Sequence, residues 1–159
     1  MSDNALWAFS LGLYGRAGVA PACLALQDEA GADVNLVLFL LWCAATDRPL
    51  DAAAIWAADG RVAPWRGAVV EPLRAVRRAL KGEPLAGFGP EAYRQRIKAA
   101  ELEAERLVQA ALFVAAPAPQ GRLDREAAAR HHLGLYAGLL GRPLPQEALR
   151  TLLAAFAEA

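Results

Sequence analysis

The chain has 159 residues, enough to bury a substantial core but short for two domains, so we expect one domain over residues 1–159. Alanine (38 residues) and leucine (25) far outnumber valine, isoleucine and threonine (13 together), and this bias towards helix formers predicts an all-α protein. Seventeen basic residues balance seventeen acidic ones and the pI is about 6.7, so we do not expect nucleic acid as a partner.

The first half of the chain contains the most apolar predicted helix. Leu36 to Ala45 carries no charge, yet it is too short to span a bilayer, which favours a buried core helix. Asp33 is well placed to cap the start of this helix. The predicted helices of this half cover residues 4–14, 19–30, 34–46 and 51–58.

The second half of the chain is predicted to hold the longest helix. Glycine and proline residues divide it into helices over residues 64–81, bent or broken at Pro72, and over 91–115, 124–140 and 146–157. Along 91–115, apolar residues recur at alternating steps of four and three and predict the buried stripe. That stripe comprises Tyr93, Ile97, Ala100, Ala104, Leu107, Ala111 and Val114. We therefore expect a bundle of six to eight helices with the third helix near its centre.

A polar turn, residues 27–35, joins the second helix to the apolar third helix. Asp28 lies at the C-terminal end of its helix, where the helix dipole disfavours a carboxylate, so something positive should compensate it. The nearest candidates are the first amides of the third helix. Asn35 shares a face with apolar residues and, if buried, should pair with Gln27 or Asp28.

Two interpretations of this turn remain open. It is a structural clamp between two helices, or it is a polar site for a small molecule or for a hard cation such as magnesium. The spacing of its carboxylates lacks the regularity of an EF-hand, and we predict no metal ligand. The candidate site residues are Gln27, Asp28, Asp33 and Asn35, with Trp7 or Trp42 as an apolar wall.

A second candidate site is the basic face of the helix EPLRAVRRALKG. Residues 1–60 have a net charge of −5, whereas residues 61–98 have a net charge of +6. Within that basic stretch, four cations at i, i+3, i+4 and i+7 share one side of a helix and define the basic face. They are Arg74, Arg77, Arg78 and Lys81. This face is suited to phosphates, an anionic membrane surface or an acidic partner, or it pairs with acidic residues of its own chain.

No constellation for catalysis is present. Cys23 and Cys43 lie in apolar helices, where burial makes a thiol inert, and two cysteines do not build a disulfide framework. His131 and His132 are adjacent, so they point in different directions from a helix and do not form a two-ligand face. There is no nucleotide-binding motif and no secretory signal, so we expect a cytoplasmic protein without a cofactor or a catalytic residue.

Residues 6–42 resemble the opening of a proteobacterial family, domain of unknown function 2390. In that family W-x-F-S-x-x-x-Y is followed by C-L-x-L-Q-D-x-x-G-x-D-V-N-L and an apolar run. The matching residues are Trp7, Phe9, Ser10, Tyr14, Cys23, Leu24, Leu26, Gln27, Asp28, Gly31, Asp33, Val34, Asn35 and Leu36. Ala17 departs from the expected proline. The resemblance implies a soluble bacterial protein and supplies no activity.

Two functions are therefore predicted as alternatives. The first is a non-enzymatic helical interaction or adaptor protein that holds a protein partner through the basic face or the polar turn. In that case, replacing Arg74, Arg77 and Arg78 by glutamate should leave the fold intact. The second is a small-molecule or divalent-metal-binding protein, or an enzyme, with its site at the polar turn.

Overall fold

The computed structural model describes residues 4–82 and 84–159, which form eight α-helices around one apolar core. The helices are α1 (Ala5–Tyr14), α2 (Val19–Ala30), α3 (Val34–Ala45), α4 (Ala52–Trp65), α5 (Glu71–Ala79), α6 (Glu91–Ala115), α7 (Arg125–Leu140) and α8 (Gln146–Ala157). These residues contain no strand, so the all-α prediction is confirmed.

Helix α3 is the centre of the bundle. Every residue from Asn35 to Ala44 is buried, because α1, α6 and α7 pack around it and α2 lies against its start. Helix α8 covers α2 on the outside. The prediction of a buried apolar third helix is confirmed, and no residue on any side of its middle turns reaches solvent.

After α3, the sequence predicted a short helix that ends at residue 58 and another that begins at residue 64, and the structure differs. Helix α4 runs through Gly60 and Pro64, and a π-helical segment, Arg66–Val70, joins it directly to α5. Pro64 removes one backbone hydrogen bond, but Ile55 and Val62 are buried along the same side and hold the helix together. Neither Gly60 nor Pro64 ends the helix, so the predicted break at residues 58–64 is wrong.

The buried side of α6 also differs from the predicted stripe. Tyr93, Leu107 and Val114 are exposed, Val114 by 84%, whereas Glu101 and Gln109 are buried. Polar residues can occupy the inner face because other helices supply their hydrogen-bonding partners. The periodicity of apolar residues carries no information about such partners and so could not predict this. The inner face comprises Glu101, Ala104, Val108, Gln109 and Leu112.

Helix α5 and the first half of α6 lie at the periphery of the bundle. None of the described residues between 71 and 100 is buried, and Leu73 is the apolar residue of α5 that packs against the core. We call residues 71–100 the arm. It contains most of the basic stretch identified in the sequence.

The loop between α6 and α7 is tied to the loop that follows α3. The Asp47 carbonyl accepts a 2.7 Å hydrogen bond from the Gln120 amide, and its carboxylate accepts a 2.8 Å bond from the Leu123 amide. Asp47 adopts a φ of 59°, which aspartate tolerates better than most residues. Within residues 4–82 and 84–159, no single helix is long and apolar enough to cross a membrane; α1 and α2 meet that criterion only together, and they are bent by 101°.

Candidate functional site

The polar turn is built by two helix caps. Gly31 has a φ of 69° and donates its amide to the Gln27 carbonyl, which ends α2. Asp33 starts α3, and its Oδ1 accepts hydrogen bonds from the amides of Asn35 (2.9 Å) and Leu36 (3.4 Å). The prediction that Asp33 is the N-cap is confirmed.

Asp33 also connects three distant parts of the fold. Its Oδ2 lies 2.7 Å from Nη1 of Arg66, and the same Nη1 lies 2.9 Å from Oδ1 of Asp59. Burial alone would lower the pKa of Arg66, but hydrogen bonds to Asp33 and Asp59 outweigh it and raise the pKa. The Asp33 amide donates to the Tyr136 hydroxyl at 2.9 Å, and burial raises the pKa of Tyr136 to about 12. These contacts tie the inner part of the turn to the end of α4 and to α7.

Asn35 has a different partner from the two predicted. Its Oδ1 accepts a 3.0 Å hydrogen bond from Nε2 of Gln109, and both side chains are buried. Asn35 faces α6 across the core, whereas Gln27 and Asp28 lie on α2, so the predicted pairing is wrong. Oε1 of Gln109 is buried without a hydrogen-bond partner in the structure.

Asp28 is compensated by an arginine. Its carboxylate lies 3.2 Å from Nη2 of Arg78 on α5, and both side chains are about half exposed. The amides at the start of α3, the compensation considered in the sequence, bind Asp33 instead. The exposed end of the polar turn therefore meets the basic face.

Two of the four residues of the basic face, Arg74 and Arg77, are directed at α6. Arg74 lies 3.1 Å from Glu101 and 3.0 Å from Glu105, and Arg77 binds both carboxylate oxygens of Glu101. The hydrogen bond to Glu101 raises the pKa of Arg77. A glutamate at position 74 or 77 would face the buried Glu101 carboxylate, which argues against the expectation that the triple replacement leaves the fold intact. Lys81 is exposed at the end of α5.

Neither tryptophan proposed as an apolar wall lines this site. Trp7 and Trp42 are both buried in the core. The Trp42 ring packs at 5.5 Å from the Phe113 ring, and the Arg48 guanidinium lies 4.8 Å from its centre. These contacts place Trp42 against the end of α6, away from the polar turn.

The polar turn and the basic face, predicted as separate sites, form the two walls of one cleft. Helices α2 and α5 are not closely packed, and the space between them has two parts that share Gln27, Glu71 and Arg74. The inner cleft has a volume of about 120 Å³ and is lined by Gln27, Gly31, Ala32, Asp33, Asn35, Arg66, Val70, Glu71, Arg74 and Val108. The outer groove has a volume of about 420 Å³ and is lined by Gln27, Asp28, Glu71, Arg74, Ala75 and Arg78.

The lining of this cleft consists mainly of charged and amide side chains. Among the residues that the structure describes, no three His, Cys, Asp or Glu side chains come together as a metal site. The inner cleft is smaller than the sites of about 300–1,000 Å³ that hold drug-sized ligands, so it admits only a small polar group. The outer groove exposes the carboxylate of Asp28 and the guanidinium of Arg78 to solvent.

The cysteines and His132 lie in the interior. Burial raises the pKa of Cys23 to about 11 and that of Cys43 to about 12. His132 is buried; its Nε2 accepts a 3.0 Å bond from the Leu50 amide, and its Nδ1 lies 3.1 Å from the Leu40 carbonyl. Both ring nitrogens are therefore occupied by backbone groups, and burial lowers the pKa of His132. The predicted burial of the two cysteines is confirmed.

Sequence reasoning missed several residues that build the site. Arg66, Glu71 and Gln109 line or support the cleft, and Tyr136 supports the Asp33 turn from α7. The sequence offered one signal, at Arg66. This residue follows an apolar stretch, and an isolated charge in such surroundings requires a partner. The others have no local signal, because their partners are distant in the chain.

The fold and the cleft together define an all-α bundle with a charged groove at the base of an arm. The chain belongs to the family described as "Protein of unknown function (DUF2390)", which matches residues 5–112. The matched region includes α1 to α5 and most of α6, and therefore the whole cleft. A search of curated proteins and a search of solved structures each found no match.

Proposed function

We propose that this is a non-enzymatic interaction protein of the cytoplasm that holds a segment of a partner protein in the outer groove. The observation that carries the proposal is the exposed Asp28–Arg78 pair, which joins the walls of the groove across solvent. An exposed ion pair of this kind contributes little to stability. Asp28 and Arg78 can therefore separate from each other and bind charged groups of a partner at a low cost in free energy.

The groove has a rigid base, which favours binding. Behind it, Arg74 is fixed by Glu101 and Glu105, and Asp33 is fixed by Arg66. Side chains that are already ordered lose little conformational entropy when a partner binds. The exposed Glu71 and the half-buried Gln27 add an acceptor and an amide to the groove.

The chemistry of the groove indicates the kind of partner. Arg78 offers donors to a carboxylate, and Asp28 and Glu71 offer acceptors to a lysine or an arginine. None of the described residues that line the groove has a large apolar side chain. We therefore infer a partner segment that carries both acidic and basic residues.

Site-specific photo-crosslinking tests this proposal. A photoreactive residue replaces Ala75, which lines the groove, or Ala154, which is exposed on α8 and serves as the matched control. We expect a discrete adduct in cells at position 75 and none at position 154. The adduct should disappear in the double variant Asp28→Arg/Arg78→Asp, which keeps the ion pair but reverses its polarity.

Three results would contradict the proposal. They are no adduct at position 75, the same adducts at both positions, and an adduct that the reversed pair leaves unchanged. The melting temperature of the double variant should stay within a few degrees of the wild-type value, because an exposed pair contributes only about 0–1 kcal/mol.

A small polar ligand in the inner cleft is the second candidate function. It is supported by Asn35, a buried amide that lines a space of about 120 Å³ beside Arg66. Thermal denaturation with a panel of metabolites and divalent cations tests it, since a ligand at a hundred times its Kd adds about 2.7 kcal/mol. Glu71→Ala should abolish any increase in melting temperature, and an unchanged melting temperature across the panel would count against this candidate.

A further inference from the structure

The apex of the arm exposes two large apolar side chains. The Phe88 amide donates a 3.1 Å hydrogen bond to the Leu85 carbonyl, and Gly87 between them has a φ of 82°. This is a closed turn with glycine at the position that needs a positive φ. Leu85 is 66% exposed and Phe88 is 70% exposed, and the turn brings them to the same end of the arm. We call residues 85–88 the apex.

The apolar surface continues from the apex along the arm. Val76 on α5 and Tyr93 on α6 are also exposed. Exposed single apolar residues are common, but here four of them lie within a segment of which no described residue is buried. Burying them requires an occupant that the described residues do not supply.

Basic residues flank this apolar surface. Arg78 and Lys81 lie on the α5 side, while Arg96 and Lys98 lie on α6, and all four are exposed. Residues 71–100 contain seven basic and three acidic residues. Of the acidic ones, Glu91 is held by Gln95 at 2.5 Å and by Arg94 at 3.3 Å. The arm therefore presents an apolar end within a positive field.

We propose that the apex inserts into the surface of a membrane rich in anionic lipid, with the flanking cations against the headgroups. Leu and Phe beside Lys and Arg are the combination found in segments that lie at a membrane interface. Each nearby cation strengthens attraction to a negative leaflet. This inference goes beyond the partner groove and does not depend on it.

The arrangement of the cations favours a lipid surface over an acidic protein. Arg96 and Lys98 are two residues apart on α6, so their side chains point about 160° apart around the helix. Charges spread around the arm suit a continuous negative surface, whereas a protein partner would offer carboxylates on one side only. None of the residues that line the inner cleft or the outer groove belongs to the apex.

The length of the arm permits this insertion. Residues 91–100 of α6 precede its first buried residue, and at 1.5 Å per residue they extend about 15 Å. Interfacial segments insert to a depth of about 5–10 Å. The apex can therefore reach that depth while the helical core stays in water.

Sedimentation of the full chain with vesicles tests the proposal. One set of vesicles contains phosphatidylcholine and phosphatidylglycerol in a ratio of about 4:1, and the other contains phosphatidylcholine alone. We expect binding to the anionic vesicles that weakens with added salt, and at least about tenfold weaker binding to the neutral ones.

Two variants and one control separate the apolar and the basic contributions. Leu85→Ser/Phe88→Ser and Lys81→Glu/Arg96→Glu should each weaken binding to anionic vesicles by about tenfold or more. The control Leu11→Ser/Leu24→Ser removes two exposed leucines from α1 and α2, outside the arm, and should bind like wild type. Circular dichroism checks that every variant is folded.

The proposal fails if wild type does not bind anionic vesicles or binds neutral ones equally well. It also fails if the apex variant binds as wild type does. A photoreactive residue in place of Ala86 covers the remaining outcome. Protein adducts at that position, without vesicle binding, would assign the apex to an acidic protein partner instead.

Discussion

Asp33 does more than an ordinary N-cap. It accepts two amides of α3 and also binds Arg66, and its side chain is almost completely buried. Asp51 caps α4 through a single exposed contact, a 2.7 Å hydrogen bond from the Ala54 amide. Asp33→Ala should therefore cost about 2–3 kcal/mol of unfolding free energy, because it removes a cap and one of the two carboxylates that bind Arg66, leaving only Asp59. Asp51→Ala should cost about 1 kcal/mol.

Urea denaturation of the two variants measures the difference. Equal losses would show that the Arg66 contact adds nothing to the cap. The comparison also tests the view that the inner end of the polar turn is structural, because a purely ligand-binding Asp33 would leave stability unchanged.

His132 predicts a specific dependence of stability on pH. Since burial lowers its pKa, the unfolded chain takes up a proton at this residue at a higher pH than the folded protein does. Its contribution to stability is complete above about pH 6.5, the ordinary histidine value, and is lost as the pH falls through the lower folded pKa. The loss should not exceed about 1.4 kcal/mol per pH unit.

The measurement is the denaturation midpoint of wild type, His132→Gln and His131→Gln between pH 7.5 and pH 5. His131 is exposed and serves as the control. Wild type and His131→Gln should lose stability together on acidification. His132→Gln should begin less stable and lose less; parallel curves for all three would contradict this assignment.

Replacement by alanine should have opposite effects on stability at Gly60 in α4 and at Gly31 in the polar turn. Gly60 lies in α4, and a Cβ there would meet no atom within 4 Å, so Gly60→Ala should stabilise the protein by about 0.5–1 kcal/mol. Gly31 has equal space but a φ of 69°, so Gly31→Ala should cost about 1–2 kcal/mol. Thermal denaturation measures both, and a stabilising Gly31→Ala would refute the assigned cap.

Helix ends were predictable wherever the signal was local. Gly31 ends α2 and Asp33 starts α3 through partners within a few residues in the chain. Gly60 and Pro64 carry similar local signals but do not end α4. A glycine inside a helix costs about 1 kcal/mol and a proline about 3 kcal/mol, whereas burying Ile55 and Val62 contributes about 1.5–3 kcal/mol each, which is enough to offset both. Local punctuation predicts a helix end only where packing does not oppose it.

The candidate site was predictable only in part for the same reason. The Asp33 cap needed no knowledge of the fold, whereas Arg66, Gln109 and Tyr136 come from 33 to 103 residues away from their partners. The basic face was correctly placed on a helix, but its rotation towards Glu101 depends on where α6 lies. Sequence patterns identified both walls of the cleft and could not show that they meet.

The protein as a whole consists of a buried core and an arm in which none of the described residues is buried. Amide hydrogen exchange should show this contrast, because amides exchange through local opening where few apolar contacts oppose it. Amides at residues 91–100 should exchange on the order of a hundredfold faster than those at 101–115 of the same helix. Uniform protection along α6 would contradict the division into arm and core.

The π-helical segment Arg66–Val70 fixes the number of residues between α4 and α5. One residue turns a helix by about 100°. Deleting a single residue from this segment would leave α4 in place but rotate α5, carrying Arg74 and Arg77 away from Glu101 and Arg78 away from Asp28. The direction in which the arm presents its side chains is therefore fixed by a residue count, and insertions or deletions here should be tolerated far less than substitutions.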